Sequence, residues 1–204
     1  MYNLLEPRLQ PVPLAVLRPT QMTVGMIEVQ LKRRQWQGHV AANGSDFLGS
    51  HMIPVVLGPS QIPWLIDHHH LARALHDEGV EHLLVSVVAR LCHLRKSEFL
   101  TFMDNRNWLH PYGSKGKRCD VADLPRSLGK LTDDPYRSLA GTVRQAGGYT
   151  MTNTPYSEFF WADFLRGRIA AKTVQGKFEK AVNKALRIAH GEDATHLPDY
   201  CGTF

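Results

Sequence analysis

The 204-residue sequence has little cysteine and no long apolar stretch, and both shortages exclude classes of protein. Its three cysteines are an odd number without a Cys-x-x-Cys pair, which favours a reducing compartment over a disulfide framework and excludes an all-cysteine structural zinc site. No run of about 18 apolar residues is available to span a membrane. The first residues lack the basic flank and apolar core of a secretory signal. We therefore expect a cytoplasmic protein without a membrane partner.

The composition that is present is ordinary for a globular chain and slightly basic. Hydrophobic residues make up 43% and charged residues 21%, as in proteins with a packed core. The 24 Lys and Arg residues exceed the 19 Asp and Glu residues, which gives a net charge of +5. A nucleotide or nucleic-acid partner is compatible with this excess but is not required by it. Residues 166–187 carry seven cations and one anion, so the excess lies mostly near the C-terminus.

Hydrophobic patterning predicts strands in the first half of the chain and helices in the second. The predicted strands are residues 12–17, 53–57, 64–66 and 82–91. The predicted later helices are residues 97–104, 136–146, 156–165 and 170–190, and residues 38–50 are typical of a loop. This order indicates an α+β core with a helical C-terminal half. We expect a core domain over residues 1–110 and a helical extension over 111–204 packed on it.

The most informative segment joins the strand at residues 64–66 directly to a helix. Asp67 stands where an N-cap is expected, and His68, His69 and His70 follow it. A helix N-terminus offers backbone N–H groups and a partial positive charge, so it suits an anion. Imidazoles there can donate to a phosphate or bind a metal, and Arg73 shares part of their face. The segment therefore predicts a phosphate site.

The spacing of the three histidines limits what they can bind. Consecutive residues point about 100° apart on a helix, so at most two of them face one ligand. A zinc protease needs helical ligands at i and i+4, and this segment has no such pair. Asp67 as a plain cap and the histidines as structural residues remain open alternatives.

Three groups of residues resemble a known superfamily. Residues 66–72 (Ile-Asp-His-His-His-Leu-Ala) resemble the Asp-Gly-His-His-Arg signature of the ParB/sulfiredoxin-like superfamily, with His68 replacing Gly and His70 replacing Arg. Residues 104–107 (Asp-Asn-Arg-Asn) resemble its Glu-Asn-x-Gln-Arg motif. Residues 134–140 and 158–164 look like the small ParB-like "putative nuclease" family. The resemblance implies a mixed-sheet core whose strand–helix junction binds nucleotide phosphates.

The resemblance also implies site residues. Superfamily kinases use an N-terminal carboxylate, so Glu28 is the implied base or metal ligand, with Asp67 and His69 as the other catalytic candidates. The implied phosphate- and nucleotide-binding residues are Thr20, Gln21, His68, His69, His70, Arg73, Asp104, Asn105 and Arg106. The sequence does not identify a cofactor, and a divalent metal with a nucleotide is one candidate. Two plain alternatives stay open: a surface ion pair of Glu28 with Lys32, and a helix end after Asp104.

Two basic segments are candidates for nucleic-acid contact. Residues 110–118 predict a flexible loop that carries Lys115, Lys117 and Arg118, without the spacing of a Walker P-loop. The last predicted helix presents Lys180 and Lys184. Either segment is equally typical of a solvated surface. The aromatic residues of 159–164 (Phe159, Phe160, Trp161 and Phe164) are predicted to lie in the core.

The sequence thus predicts a ParB-like nuclease or a nucleotide-dependent phosphoryl-transfer enzyme with its phosphate site at the Asp-His-His-His junction. The first alternative is a DNA- or nucleotide-binding module without catalysis. The second is a degenerate scaffold that has lost its ligand along with the glycine and arginine. The sequence predicts no oligomeric state.

Overall fold

The computed structural model describes residues 9–43, 52–150 and 154–202. Contacts within the chain divide it into two compact units. The first unit holds the described residues of 1–23, 29–113 and 117–132, and the second holds those of 24–28, 114–116 and 133–204. No helix of the described residues is long and apolar enough to cross a membrane.

The described chain alternates short strands and helices before a helical C-terminal part. The strands are β1 (Leu9–Pro13), β2 (Arg18–Pro19), β3 (Thr23–Val24), β4 (Ile53–Leu57), β5 (Pro63–Leu65), β6 (His82–Arg90) and β7 (Thr132–Asp133). The helices are α1 (Met26–Asn43), α2 (His69–Asp77), α3 (Lys96–Asn105), α4 (Pro135–Gln145), α5 (Ser157–Arg166), α6 (Ala171–Gly176) and α7 (Phe178–Ala189).

The first unit is built on a mixed five-stranded sheet of order β1-β6-β4-β5-β2. Strand β6 pairs antiparallel with β1 and parallel with β4, while β5 pairs antiparallel with β4 and parallel with β2. The register between β4 and β6 shifts between Val55 and Val56. The predicted α+β class with a mixed sheet is therefore confirmed.

The first predicted strand, residues 12–17, is wrong in its second half. Strand β1 ends at Pro13, and a single 3₁₀ turn over Leu14–Val16 separates it from β2. Leu14 and Leu17 are buried, so the apolar run reflects core packing rather than extended backbone. Strand β1 lies at the sheet edge, where a proline without an N–H group is tolerated.

Helix α1 continues beyond the position at which a loop is predicted. It includes Gly38 and reaches Asn43, and the rest of the predicted loop, up to residue 51, lies outside the described residues. Arg33 and Gln37 donate to the Glu78 carboxylate at 2.6 and 2.9 Å. These hydrogen bonds lower the pKa of Glu78, with Gln37 contributing most. Tertiary contacts therefore outweigh the low helix propensity of glycine.

The start of α1 belongs to the second unit and is capped from a distance. The Met26 N–H donates to Asp133 Oδ1 at 2.9 Å, and the Ile27 N–H donates to Ser138 Oγ at 3.1 Å. A Cβ on Gly25 would lie 2.6 Å from the Ser138 backbone nitrogen, so only glycine fits there. The caps of this helix are separated from it by more than 100 residues in sequence.

The second unit has its own core around Trp161. The Trp161 ring stacks on Tyr149 at 4.3 Å, and its Nε1 donates to Pro198 O at 2.8 Å. Phe159 and Phe164 are buried as predicted, but Phe160 is 53% exposed. The predicted helix over 170–190 is broken: α6 ends at Gly176, and Lys177 has φ −144° before α7.

Candidate functional site

The start of α2 is tied to β2 through a buried pair, Thr20 and His69. The Thr20 N–H donates to His69 Nε2 at 3.1 Å, and its hydroxyl donates to Leu65 O at 2.6 Å. Because Nε2 accepts a hydrogen bond, the imidazole is neutral with its proton on Nδ1. His69 is only 2% exposed and Thr20 1%. The structure therefore gives the His69 ring a fixed position under the helix start.

The residues just before α2 are exposed and conformationally special. His68 is the N-cap, with φ 61° and ψ 30°, and makes no side-chain cap hydrogen bond. Asp67 is one position too early to be the predicted N-cap, and its Oδ1 accepts from the His68 N–H at 2.6 Å. A left-handed backbone favours glycine, which is the residue of the superfamily signature at this position. Of the three histidines, His69 and His70 are buried and His68 faces solvent.

Arg73 has protein partners for its guanidinium. Its Nε donates to both oxygens of Asp77 at 2.9 and 3.0 Å, and its Nη1 donates to Leu131 O at 2.7 Å. The side chain is 14% exposed. The structure therefore uses Arg73 to join α2 to the segment around residue 131.

Other predicted residues of the first unit meet through the loop after α3. The His110 N–H donates to Thr20 O at 2.8 Å, and Gln21 pairs with His110 in an isolated bridge. Tyr112 stacks on His110 at 4.3 Å and forms a second bridge with Arg118. These contacts place the predicted residues Thr20 and Gln21 beside the basic loop.

The loop continues this arrangement to α3. Arg118 Nη2 donates to Asp104 Oδ1 at 2.7 Å, so these two predicted residues form a salt bridge. The Gly113 N–H donates to Lys117 O at 3.0 Å, which closes the loop. Residues of the predicted flexible loop are thus held by backbone hydrogen bonds.

The C-terminus of α3 confirms the helix-end alternative. Asn107 has φ 54°, and its N–H donates to Asp104 O at 2.9 Å, while the Trp108 N–H donates to Met103 O at 2.8 Å. This pattern is a Schellman motif with asparagine in the left-handed position. Asn105 and Arg106 are exposed, and the Arg106 guanidinium lies 5.2 Å from the Trp108 ring centroid.

A buried ion pair organises the second unit. Arg137 and Glu158 lie 3.0 Å apart, with side chains 4% and 13% exposed. The Arg137 guanidinium also lies 4.0 Å from the Phe159 ring centroid. Arg144 approaches the other oxygen of Glu158 at 3.8 Å. Removing one partner of such a pair costs about 3–5 kcal/mol, because the other charge stays buried.

Glu28 brings a second carboxylate to this ion pair. One oxygen of Glu28 and one of Glu158 lie within 4.8 Å of each other. Both carboxylates face Gly141 of α4, whose Cβ, if present, would lie 2.8 Å from Glu28 Oε2 and 3.9 Å from Glu158 Oε2. Two converging carboxylate oxygens are the donor set preferred by Mg²⁺ or Mn²⁺. Glu28 and Glu158 can therefore hold a divalent cation.

A cavity of about 520 Å³ lies elsewhere in the second unit, lined in part by Lys115, Asp133, Tyr136 and Arg166. Arg166 donates to Asp134 Oδ2 at 2.8 Å and to Ser114 O at 2.7 Å. Burial raises the pKa of Asp133, and the hydrogen bond from the Met26 N–H acts against it. These contacts hold the loop that carries Lys115. Among the described residues they do not bring together a set of side chains that could bind a phosphate.

Comparisons with known proteins identify the family of this chain. The family model described as "Putative ParB-like nuclease" matches residues 10–167. The chain belongs to this ParB-like family. The crystal structure of protein Atu1540 from Agrobacterium tumefaciens is 47% identical, with a TM-score of 0.92, over 98% of this chain and 100% of that one. The predicted family resemblance is therefore confirmed.

More distant comparisons add nothing to the ParB-like assignment. The C-terminally truncated chromosome-partitioning protein ParB from Caulobacter crescentus, complexed with CTP-gamma-S, is 11% identical over 91% of this chain and 94% of that one. Its TM-score of 0.32 is too low to support an inference about fold or ligand. No curated protein matches the chain.

The ParB-like motifs contain the functional candidates that residue-by-residue reasoning missed. Arg137 lies in the segment 134–140 and Glu158 begins the segment 158–164, which both resemble the family. The structure joins these two segments through the Arg137–Glu158 ion pair. The sequence signal was a charged residue in each motif, Arg137 in one and Glu158 in the other. Only the fold shows that the two charges meet, with Glu28 beside them.

Proposed function

We propose that this ParB-like protein is a divalent-cation-dependent nuclease. The observation that carries the proposal is the convergence of Glu28 and Glu158, whose oxygens lie within 4.8 Å. Both side chains are only partly accessible, and Arg137 fixes the orientation of Glu158 at 3.0 Å. A carboxylate pair held rigidly in this way is a preorganised cation site, since little reorganisation accompanies binding.

The donor chemistry of this pair fits the cation implied by the resemblance. Mg²⁺ and Mn²⁺ prefer carboxylate oxygens and keep several waters, so two carboxylates suffice. When bound, the cation would neutralise charge that develops on a phosphate oxygen. Glu28 and Glu158 hold it, Arg137 keeps Glu158 in place, and Arg144 adds positive charge nearby.

The first unit holds a separate candidate of its own, a phosphate-binding helix start. The N-cap of α2 makes no side-chain hydrogen bond, and the first-turn N–H groups of a helix have no acceptor within it. The exposed His68 ring adds a donor, and the helix dipole favours an anion. The same site serves a nucleotide phosphate if the reaction is phosphoryl transfer.

The neighbouring predicted residues then divide into two roles. Asp67 is exposed beside the turn, and we propose it as the proton acceptor for attacking water. His69 accepts from the Thr20 N–H and is a positioning residue rather than a proton-transfer group. His70 is 9% exposed and lines the same turn.

Cleavage of single- and double-stranded DNA and RNA with Mg²⁺, Mn²⁺ or EDTA tests the proposal. We expect cleavage with Mg²⁺ or Mn²⁺ and none with EDTA. Glu28→Gln removes a charged ligand and should lower the rate by at least about 100-fold, as expected for loss of a metal ligand. Asp67→Asn should lower it about 100-fold or more by removing the base.

The matched control is His82→Ala, which removes an exposed imidazole from β6. It should cleave like the wild type, whereas His68→Ala should bind phosphate less tightly. Thermal shifts with nucleotides and cations provide the second measurement, because a ligand of the folded state raises its melting temperature. Absence of cleavage under every condition contradicts the proposal, whether or not a ligand shifts the melting temperature.

A binding module without turnover is the second candidate, and α7 is the observation in its favour. Lys177, Lys180, Lys184 and Arg187 are exposed at spacings of three, four and three residues along one face. Lys184 Nζ also donates to Arg168 O at 3.0 Å, so its position is defined. Under this alternative, binding to duplex DNA weakens steeply with salt while no product forms. Lys180→Ala should then reduce the salt slope by about one.

A further inference from the structure

We propose that the outer face of α3 is a stacking platform for single-stranded nucleic acid, with Phe102 as the ring on which a base stacks. This inference rests on the proposed function, because it names the strand form in which the substrate is held. The platform comprises Phe102, Trp108, Asn105 and the cation Arg106.

Phe102 is the aromatic residue of α3 whose side chain is exposed. Phe99 and Met103, on the inner face of the helix, are fully buried, whereas Phe102 is 39% exposed. A groove of about 430 Å³ runs beside it, lined by Ser97, Glu98, Thr101, Phe102 and Asn105. A single large ring beside hydroxyl and amide groups and one carboxylate, that of Glu98, suits a nucleobase, which has an apolar face and a polar edge.

The helix end holds the ring in place. The Schellman motif returns Trp108 over the last turn, and its ring meets Phe102 edge to face at a centroid distance of 6.1 Å. Trp108 itself packs partly against the core residues of the first unit. Because Phe102 is braced on one side, stacking a base on it costs little side-chain entropy.

The charges on α3 complement a phosphate backbone. Glu98 pairs with Arg95 at 3.0 Å, and Asp104 pairs with Arg118. Among the described residues, no carboxylate lies within ion-pair distance of Lys96 or Arg106. Arg106 lies four residues after Phe102 and so on the same side of the helix, whereas Lys96 lies about 120° around it. A strand stacked on Phe102 therefore meets the positive charge of Arg106 about one helical turn away.

A protein partner fits this surface less well. Protein interfaces have an apolar centre built from several large side chains. Here, the groove contains one aromatic ring among polar side chains. The chemistry therefore favours a strand of nucleotides over a protein surface.

Fluorescence anisotropy with a labelled oligothymidylate tests the platform, using an EDTA buffer to prevent cleavage. Phe102→Ala should weaken binding by about 5- to 150-fold, the range for loss of one stacked base. Phe102→Trp should restore it. Arg106→Ala should lower the slope of log affinity against log salt by about one. The matched control is Phe160→Ala, which removes a still more exposed ring from α5 and should change nothing.

Two further ligands sharpen the result. An abasic oligonucleotide keeps the phosphates but has no base, so it should bind wild type and Phe102→Ala with equal affinity. Duplex DNA hides its base faces and should be insensitive to the substitution. Equal affinity of wild type and Phe102→Ala for oligothymidylate overturns the platform. The platform is also overturned if sedimentation velocity shows a dimer that depends on Phe102 while Phe102→Ala leaves the affinity for oligothymidylate unchanged.

The test separates the platform from the proposed function. Cleavage that persists while Phe102→Ala binds normally overturns the platform and leaves the nuclease proposal intact. Phe102-dependent binding without cleavage under any cation supports the platform and contradicts the nuclease proposal.

Discussion

At residue 68 the backbone adopts a conformation that is unfavourable for a residue with a side chain. The φ of 61° places His68 in the left-handed region, which costs an L-residue about 1–2 kcal/mol and glycine almost nothing. The superfamily signature has glycine at this position, so the chain has kept a backbone suited to glycine while carrying an imidazole. The retained imidazole is consistent with a role for His68 at the exposed helix start.

We predict that His68→Gly raises the free energy of unfolding by about 0.5–1 kcal/mol, because strain is relieved while chain entropy in the unfolded state increases. Urea unfolding at pH 7 measures the difference. The control is His68→Ala, which also removes the ring but keeps a Cβ in the strained conformation. Equal stability of the two variants would show that the left-handed backbone carries no cost.

The sequence predicts which residues of the junction matter better than it predicts what they contact. The strand–helix order follows from hydrophobic patterning, and it places Asp67 and the histidines correctly at the helix start. Burial of His69 depends on Thr20, which is 49 residues away in sequence. A hydrogen bond over that distance leaves no local pattern, so the sequence could not distinguish a buried ring from a ligand.

At the scale of elements, Gly141 of α4 makes room for a carboxylate. A Cβ there would lie 2.8 Å from Glu28 Oε2, the flexible end of its side chain. We predict that Gly141→Ala pushes Glu28 away from Glu158 and lowers cation-dependent cleavage by about 10-fold or more, since a misplacement near 1 Å suffices for such losses. Stability should change by less than about 1 kcal/mol, because alanine's higher helix propensity offsets the displacement.

The matched control for this prediction is Gly38→Ala in α1, where a Cβ would meet nothing within 4 Å. It should raise stability by about 0.5–1 kcal/mol and leave cleavage unchanged. Parallel thermal melts and cleavage assays compare the two variants. Full activity of Gly141→Ala would mean that cleavage does not depend on the separation between the Glu28 and Glu158 carboxylates.

Elements were predictable where their signals are local. Helix α4 was predicted to within a residue at each end, because Asp134 before Pro135 is a local cap whose side chain accepts from the Tyr136 N–H. The N-terminus of α1 has no such local signal, because its caps Asp133 and Ser138 come 107 and 111 residues later in the chain. The break between α6 and α7 at Lys177 was missed, since amphipathic spacing continues across it.

At the scale of the whole molecule, the division into units does not follow the order of the chain. Residues 24–28 and 114–116 belong to the second unit although their sequence neighbours belong to the first. Hydrophobic patterning finds contiguous segments, so a domain boundary at residue 110 was the natural expectation from sequence. A core domain over residues 1–110 with a helical extension over 111–204 packed on it stays a prediction.

We predict that a fragment of residues 111–204 does not unfold cooperatively by itself. It lacks the Val24 carbonyl that accepts from the Asp134 N–H, and the Gly25 backbone that packs on Ser138. Circular dichroism melts of the fragment measure this, and a peptide covering residues 18–34 should restore a transition. A cooperative melt without the peptide, at the temperature of the intact protein, would contradict the expectation.

The placement of residues 24–28 bears on how this chain can change by inheritance. Recombination between two related genes, with one breakpoint between the codons of residues 28 and 114, takes residues 24–28 from one parent and the remainder of the second unit from the other. Such chimeras bring together an unmatched Gly25 and Ser138, or an unmatched Glu28 and Gly141. Recombination should therefore give folded proteins mainly when both parents are closely related. The two units should accordingly be inherited together.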